Sequence, residues 1–320
     1  MEKNGKQRFR ALRVIAAVLA NLTAILSANY ITFYILDHFN PGFHFVVRSE
    51  FILTKYLHFV IPVLMLLTAL LYLLVPALSL WWAIPIALGL IIVLNALYVF
   101  VIYVYCKRID MTREYDTIDP GAHRWMMGFI RWLLAICRVK IRTVNMDIVP
   151  REGEFLLVGN HRSAFDPLTT LVAMADWPLA FISKPENIYK LFLGPAPYKC
   201  CFLAIDRENA RNALKTINTA AARMKAHACS YGIYPEGTRT RTGKMLEFKP
   251  GAFKAAQKAH VPVVVVAVEG SEDVLKRVPF RSTTVTLTYL AVIDADTVKA
   301  THTHTLAEQV KGMLLEKLGE

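Results

Sequence analysis

The stretch that decides the fold is Phe155-Leu156-Leu157-Val158-Gly159-Asn160-His161-Arg162-Ser163-Ala164-Phe165-Asp166-Pro167-Leu168. A short apolar run is followed by a polar turn and then, from Pro167 through Leu171-Val172, by a helix start. The reading is strand, turn, helix. An imidazole just past a strand end, with a carboxylate five residues on, has the parts of a base and its orienter. A carboxylate bonded to one ring nitrogen fixes the tautomer, so the other nitrogen can take a proton from a hydroxyl. The same Asp166 can instead cap the helix, with Pro167 at its first position. One oxygen could do each job, and spacing alone leaves both readings open. A lone His and Asp are too few for a metal site, which takes three or four ligands.

Working outward, strands and helices alternate from about residue 139 to the end. The expected strands are Phe155–Val158, Leu179–Ile182, Phe202–Ile205, Ser230–Tyr234, Val263–Val268 and Thr284–Leu290. The expected helices are Pro167–Ala175, Glu208–His227, Gly251–His260 and Leu306–Leu318, the last opened by a Thr305-x-x-Glu308 capping box. Such alternation predicts an α/β fold with a mainly parallel central sheet flanked by helices. Val263-Val264-Val265-Val266 is continuous rather than alternating, as in a central strand buried on both faces. Thr301-His302-Thr303-His304 reads as a polar strand or loop rather than a metal site.

Charge and hydropathy divide the chain. Residues 1–55 carry seven Lys/Arg against three Asp/Glu, residues 56–106 carry neither, and residues 107–320 carry thirty against twenty-two, which together make the net charge of +12. The hydrophobic fraction is 55% and mean hydropathy is positive. A basic part joined to an apolar part suits an anionic membrane surface or an anionic substrate. Zinc-finger spacings and aromatic-basic RNA-binding signatures are absent, so nucleic acid is not an expected partner. Five cysteines, Cys106, Cys137, Cys200, Cys201 and Cys229, form an odd set without metal-type spacing and read as reduced thiols in the cytoplasm.

The uncharged stretch 56–106 would be roughly 76 Å long as a single helix, against about 30 Å for one membrane span. It is expected to fold back near Val75-Pro76-Ala77-Leu78-Ser79, with Lys107 and Arg108 at the membrane exit. With Val14–Leu36 as a further candidate span, residues 1–106 read as a transmembrane helical region of two to three spans. The basic leader and the basic exit both ask for the cytoplasmic side, which three full spans would not allow. Residues 107–138 read as a linker and an amphipathic helix, His123–Arg138, with Arg124, Arg131 and Arg138 recurring every seven. That helix suits the membrane interface or a core face equally. Residues 139–320 form the remaining domain.

Two further blocks end strands. Ile205-Asp206-Arg207 precedes one helix, and Tyr234-Pro235-Glu236-Gly237-Thr238-Arg239 ends the next strand. The carboxyl ends of parallel strands share one rim, where ligands bind. His161, Arg207 and Arg239 could converge there, and two guanidiniums would hold an anion by charge-assisted hydrogen bonds. Each Arg alone could equally be a solvated surface charge, and Glu236 a partner for one of them. Gly237 would allow close backbone approach or positive φ.

Taken together, Asn160-His161-x4-Asp166, Asp206-Arg207, Pro235-Glu236-Gly237-Thr238-Arg239 and Val261-Pro262-Val263 resemble the four blocks of the glycerolipid acyltransferase family, above all its 1-acyl-sn-glycerol-3-phosphate (lysophosphatidate) acyltransferases. The resemblance covers about residues 125–295 and leaves 1–106 outside. It implies His161 as general base oriented by Asp166. It implies Arg207, Arg239 and Lys184 as holders of the substrate phosphate, with Glu236, Gly237 and Thr238 shaping the acceptor pocket and Pro262 in the fourth block. The implied reaction moves a fatty acyl group from acyl-CoA or acyl carrier protein to the sn-2 hydroxyl of lysophosphatidate, without metal or cofactor. The implied partners are a lysophospholipid acceptor, the thioester donor and an anionic membrane surface. An enzyme integral to the membrane with its catalytic domain facing the cytoplasm is expected. The alternatives are another lysolipid or polyol-phosphate acceptor, or a catalytically silent lipid-binding scaffold. This chain departs from the pattern at Cys200-Cys201-Phe202 and at Asn145, near places where a glycine is usual.

Overall fold

The computed structural model describes residues 83–190, 193–240, 244–278 and 280–319. The chain divides into two units, 1–101 and 102–320. Helix α1 runs Ala83–Lys107. The transmembrane region expected before the domain is corrected here, because no helix among the described residues is long and apolar enough to cross a membrane. The end of the uncharged stretch belongs to a core: Ile102 and Cys106 are buried. The candidate span Val14–Leu36 and the turn Val75–Ser79 lie outside the described residues.

Helix α2 (Pro120–Ile136) starts three residues earlier than its apolar stripe suggests. Asp119 caps it, accepting from the Ala122 N–H at 2.7 Å, and Pro120 takes the first turn, where no N–H is needed. Its stripe of Met126, Met127, Ile130 and Leu134 is buried, so this apolar face is core packing.

The domain then reads β1 (Val139–Val144), β2 (Leu156–Gly159), α3 (Phe165–Ala173), β3 (Leu179–Ser183), α4 (Pro195–Lys199), β4 (Leu203–Ala204), α5 (Ala210–Lys225), β5 (Ser230–Ile233), α6 (Lys254–Ala259), β6 (Val263–Glu269), α7 (Val274–Arg277), β7 (Thr283–Ile293), α8 (Ala295–Ala300) and α9 (Thr303–Leu318). The sheet order is β1-β7-β6-β2-β5-β3-β4. The sheet is mixed rather than uniformly parallel: β6 and β7 pair antiparallel, with a register shift at Val265/Val266, and the other ladders are parallel. The long β7 follows β6 after a connection, residues 270–282, that contains α7, and it runs back alongside β6. Five adjacent strands, β6-β2-β5-β3-β4, still point one way.

Every residue of β2 and β5 is buried, as are Val263–Val268 of β6, so both faces of the central sheet are covered. Each fully buried valine there contributes roughly 1.5–3 kcal/mol. Helix α9 begins at Thr303 with His302 as its cap, so the expected Thr305-x-x-Glu308 box lies inside the helix and the His tract opens it.

Candidate active site

The carboxyl ends of β2, β3, β4 and β5 lie on one rim, and they deliver His161, Lys184, Arg207 and the loop after Tyr234 to it. At the end of β2 a side chain on Gly159 would come within 2.8 Å of the Val266 carbonyl oxygen, so glycine lets β2 and β6 run close. Asn160 then continues that ladder with its side chain. Its Nδ2 donates to the Val268 carbonyl at 2.9 Å, and the Val268 N–H donates to its Oδ1 at 2.8 Å. The turn that follows is thereby tied to the central strand.

His161 Nδ1 lies 2.8 Å from Asp166 Oδ2. The same oxygen accepts the Arg162 N–H at 2.8 Å and the Ser163 N–H at 2.7 Å, while Oδ1 accepts the Ser271 hydroxyl. Asp166 is wholly buried. Four donors offset the cost of taking a carboxylate out of water. Asp166 meets the ring, as the base reading expects, but it does not cap α3. Ala164 holds the cap position without a side-chain cap bond, the helix starts at Phe165 so that Pro167 is its third residue, and the carboxylate instead ties down the loop before it. With Nδ1–H donated to the carboxylate, Nε2 keeps its lone pair. The face of the His161 ring lies on the Tyr234 ring, centroids 4.5 Å apart and planes 10° apart.

A cavity of about 380 Å³ opens at this corner. His161, Lys184, Arg207, Gly237, Thr238 and Arg239 line it together, and Trp125, Phe129, Leu133, Leu168 and Ile188 give it apolar wall. Asp166 and Glu236 stand behind that wall. Glu236 is 4% exposed, and both its oxygens are committed to backbone: it accepts the His161 N–H at 2.6 Å and the Leu246 N–H at 3.0 Å. Burial raises its carboxyl above the ordinary value, against the pull of those two amides. The Thr240 N–H closes the circuit by donating to the His161 carbonyl at 3.0 Å. Glu236 therefore acts on the pocket through the backbone of His161 and of its own loop.

Gly237 has φ +75°, the left-handed region, and a side chain there would stand 3.2 Å from Lys249 Cε. Arg207 is half-buried, and loss of water lowers its guanidinium from the ordinary value while the Glu186 carboxylate opposes that shift. It remains a cation. Its loop is tied by Asp206, which accepts from the Glu208 and Asn209 N–H groups at 3.1 and 3.2 Å. Thr238, Arg239 and Lys184 are exposed at the mouth.

The two departures from the family pattern share a physical basis. Asn145 has φ +55° and Cys201 φ +65°, backbone where glycine is the easy residue. Asn145 tolerates it and donates to the Tyr289 carbonyl at 3.4 Å. Cys201 is held there by the Tyr231 hydroxyl, which donates to its carbonyl at 2.9 Å. Cys200 and Cys201 do not line the cavity, and burial pushes the Cys200 thiol up to about 12. Cys106 does line the cavity, but burial raises its thiol too, which disfavours the thiolate that a relay would need.

Fold and site define an α/β domain in which a buried Asp–His pair faces a cavity with an apolar wall and a cationic mouth. Residues 140–269 match the family model described as Acyltransferase. It is 35% identical over 145 residues to a probable 1-acyl-sn-glycerol-3-phosphate acyltransferase of Mycoplasma genitalium, covering 44% of this chain and 52% of that protein. It is 27% identical over 168 residues to the 1-acyl-sn-glycerol-3-phosphate acyltransferase of Salmonella typhimurium, covering 52% and 68%. It is 29% identical over 150 residues to the human 1-acyl-sn-glycerol-3-phosphate acyltransferase alpha, covering 47% and 52%. The chain thus spans about half the length of the Mycoplasma and human relatives. The fold is similar to the crystal structure of the 1-acyl-sn-glycerophosphate (LPA) acyltransferase PlsC from Thermotoga maritima, with TM-score 0.51 and 18% identity over 70% of this chain and 88% of that one.

Proposed function

We propose that this protein transfers a fatty acyl group from a thioester, acyl-CoA or acyl carrier protein, to the sn-2 hydroxyl of lysophosphatidate. One observation carries the reading: the open nitrogen of an Asp-held histidine lines the same cavity as Arg207, Arg239 and Lys184. The cations suit the acceptor's phosphate, and the apolar wall suits an acyl chain. In the proposed step the acceptor oxygen attacks the thioester carbonyl carbon while its proton passes to His161 Nε2. The imidazolium forms against the Asp166 carboxylate. The carbon–sulfur bond then breaks, and the leaving thiolate takes the proton back, giving an ester and a free thiol. The reaction needs no metal and no cofactor beyond the thioester. The domain is proposed to work on the cytoplasmic side, at an anionic membrane surface where acceptor and product reside.

Purified full-length protein, incubated with acyl-CoA and a panel of lysolipids and polyol phosphates and read by mass spectrometry, tests this. Phosphatidate from lysophosphatidate is the expected product. A different ester moves the acceptor assignment. Neither transfer nor thioester hydrolysis with any pair would leave a lipid-binding scaffold and end the enzymatic reading.

A further inference from the structure

Strand pairing puts Phe181 of β3 directly opposite Gly232 of β5. The Phe181 ring folds over that glycine so closely that a side chain on residue 232 would lie 2.4 Å from Phe181 Cε1. Two residues past Gly232, just beyond the end of β5, Tyr234 stacks on Phe181 with centroids 5.6 Å apart and planes 16° apart. Tyr234 in turn carries the His161 ring at 4.5 Å and 10°. Phe202 closes the outer side of Phe181 at 6.2 Å. Three near-parallel rings thus stand in a column whose foot is a glycine and whose top is the histidine.

We propose that this column is a positioning device for His161, with Tyr234 as the residue through which it acts. The Asp166 carboxylate fixes one edge of the imidazole, but an edge contact leaves the ring able to rock about its Nδ1–Oδ2 axis. A flat aromatic face beneath it removes that freedom and keeps Nε2 aimed into the cavity. The same face attracts a cation, so it favours the imidazolium formed as the proton arrives. Burial and the nearby Asp166 charge keep the Tyr234 phenol far above its ordinary value, so the ring stays neutral while the histidine cycles. The ring face, and not the hydroxyl, is the working part. The proposal rests on the acyl-transfer reading of His161 for its kinetic effect, though the column itself does not.

The test uses the full-length protein with Tyr234→Phe, Tyr234→Leu and Gly232→Ala. Tyr234→Leu should lower kcat roughly 10- to 100-fold with acceptor and donor KM within about threefold, since a base displaced by a fraction of an ångström loses rate rather than binding. Tyr234→Phe, which keeps the face, should stay within about threefold of wild type. Gly232→Ala pushes the column from below without altering His161 or Tyr234, and should lower kcat by an intermediate factor. It also decides the matter if Tyr234→Leu fails to fold. The His161 Hε1 resonance, assigned by its loss in His161→Gln, should lose its ring-current displacement in Tyr234→Leu and keep it in Tyr234→Phe. Wild-type kcat in Tyr234→Leu, an equal loss in Tyr234→Phe, or an unmoved resonance in Tyr234→Leu would overturn the proposal. An inactive wild type would sink the acyl-transfer reading instead, and the resonance would still judge the column.

Discussion

Around His161 the polar atoms are committed. Asp166 holds four donors, Glu236 holds two, and Asn160 binds both backbone groups of Val268. At the mouth of the same cavity, Lys184, Thr238 and Arg239 are exposed, and Arg207 is half-buried beside Glu186 with no hydrogen bond from its guanidinium among the described residues. The contrast separates two tasks. Proton transfer needs a base fixed in place before the substrate arrives, and a saturated network supplies that. Anion capture needs cations with donors to spare, and a network that had used them would bind poorly. The site is rigid where a proton moves and open where a charge is received.

Changes at the rigid corner should therefore strike kcat, and changes at the mouth should strike acceptor KM. The largest effect is expected for Asp166→Asn. An amide nitrogen would face one of four donors, and the imidazole would lose its tautomer lock, so kcat should fall roughly 10²–10⁴-fold. The unmatched buried donors should also cost about 1–3 kcal/mol, visible in denaturant unfolding. Equal kcat in wild type and variant would remove Asp166 from the account. Glu236→Gln comes next. One of its two backbone partners must meet an NH2 group, the loop 235–240 shifts, and kcat should drop roughly 10- to 100-fold with a smaller change in KM.

At the mouth, Arg207→Lys and Arg239→Lys should each raise acceptor KM about tenfold, since an ammonium cannot offer the guanidinium fork. Donor KM and stability should hardly move, and an unchanged acceptor KM in both variants would dissolve the contrast. A still smaller effect concerns pH. The Glu236 carboxyl lies above its ordinary value in the folded protein, chiefly through burial. Its contribution to stability is then complete below the unfolded value and is lost as pH rises through the folded one. Denaturant titrations should show the wild type losing ground to Glu236→Gln as pH rises through the weakly acidic range. A gap that widens with rising pH would reverse the sign.

What was legible in the sequence is the rim. Apolar runs ending near Gly159, Ile205 and Tyr234 announce strands, and a chemistry-bearing residue follows each, so one rule about strand ends gathers His161, Arg207 and Arg239, while Lys184 enters through the family resemblance. The same rule applied to β6 reaches Ser271, whose hydroxyl bonds Asp166 across 105 residues, and that residue was missed because nothing local marks it. Strand β1 was not among the expected strands, although Val139-Lys140-Ile141-Arg142 carries the alternation of a half-buried edge strand, with Val139 and Ile141 turned to the core. Glu236 reads as a pocket residue or an arginine's partner from its neighbours in sequence, whereas its oxygens turn inward to two amides that only the tertiary fold brings near. The Phe181–Gly232 pairing is likewise a matter of register, which spacing along one strand does not reveal. The uncharged stretch to residue 106 misleads on length, because its end is spent on the core at Ile102 and Cys106.

The central claim is that His161 takes the acceptor's proton. It is tested most directly by the single-turnover rate of acyl transfer from acyl-CoA to saturating lysophosphatidate, in wild type and His161→Ala, with circular dichroism to confirm that both are folded. A loss of roughly 10²–10⁴-fold in the rate, at unchanged fold, is the expected result. A folded His161→Ala protein that transfers the acyl group at the wild-type rate would contradict it.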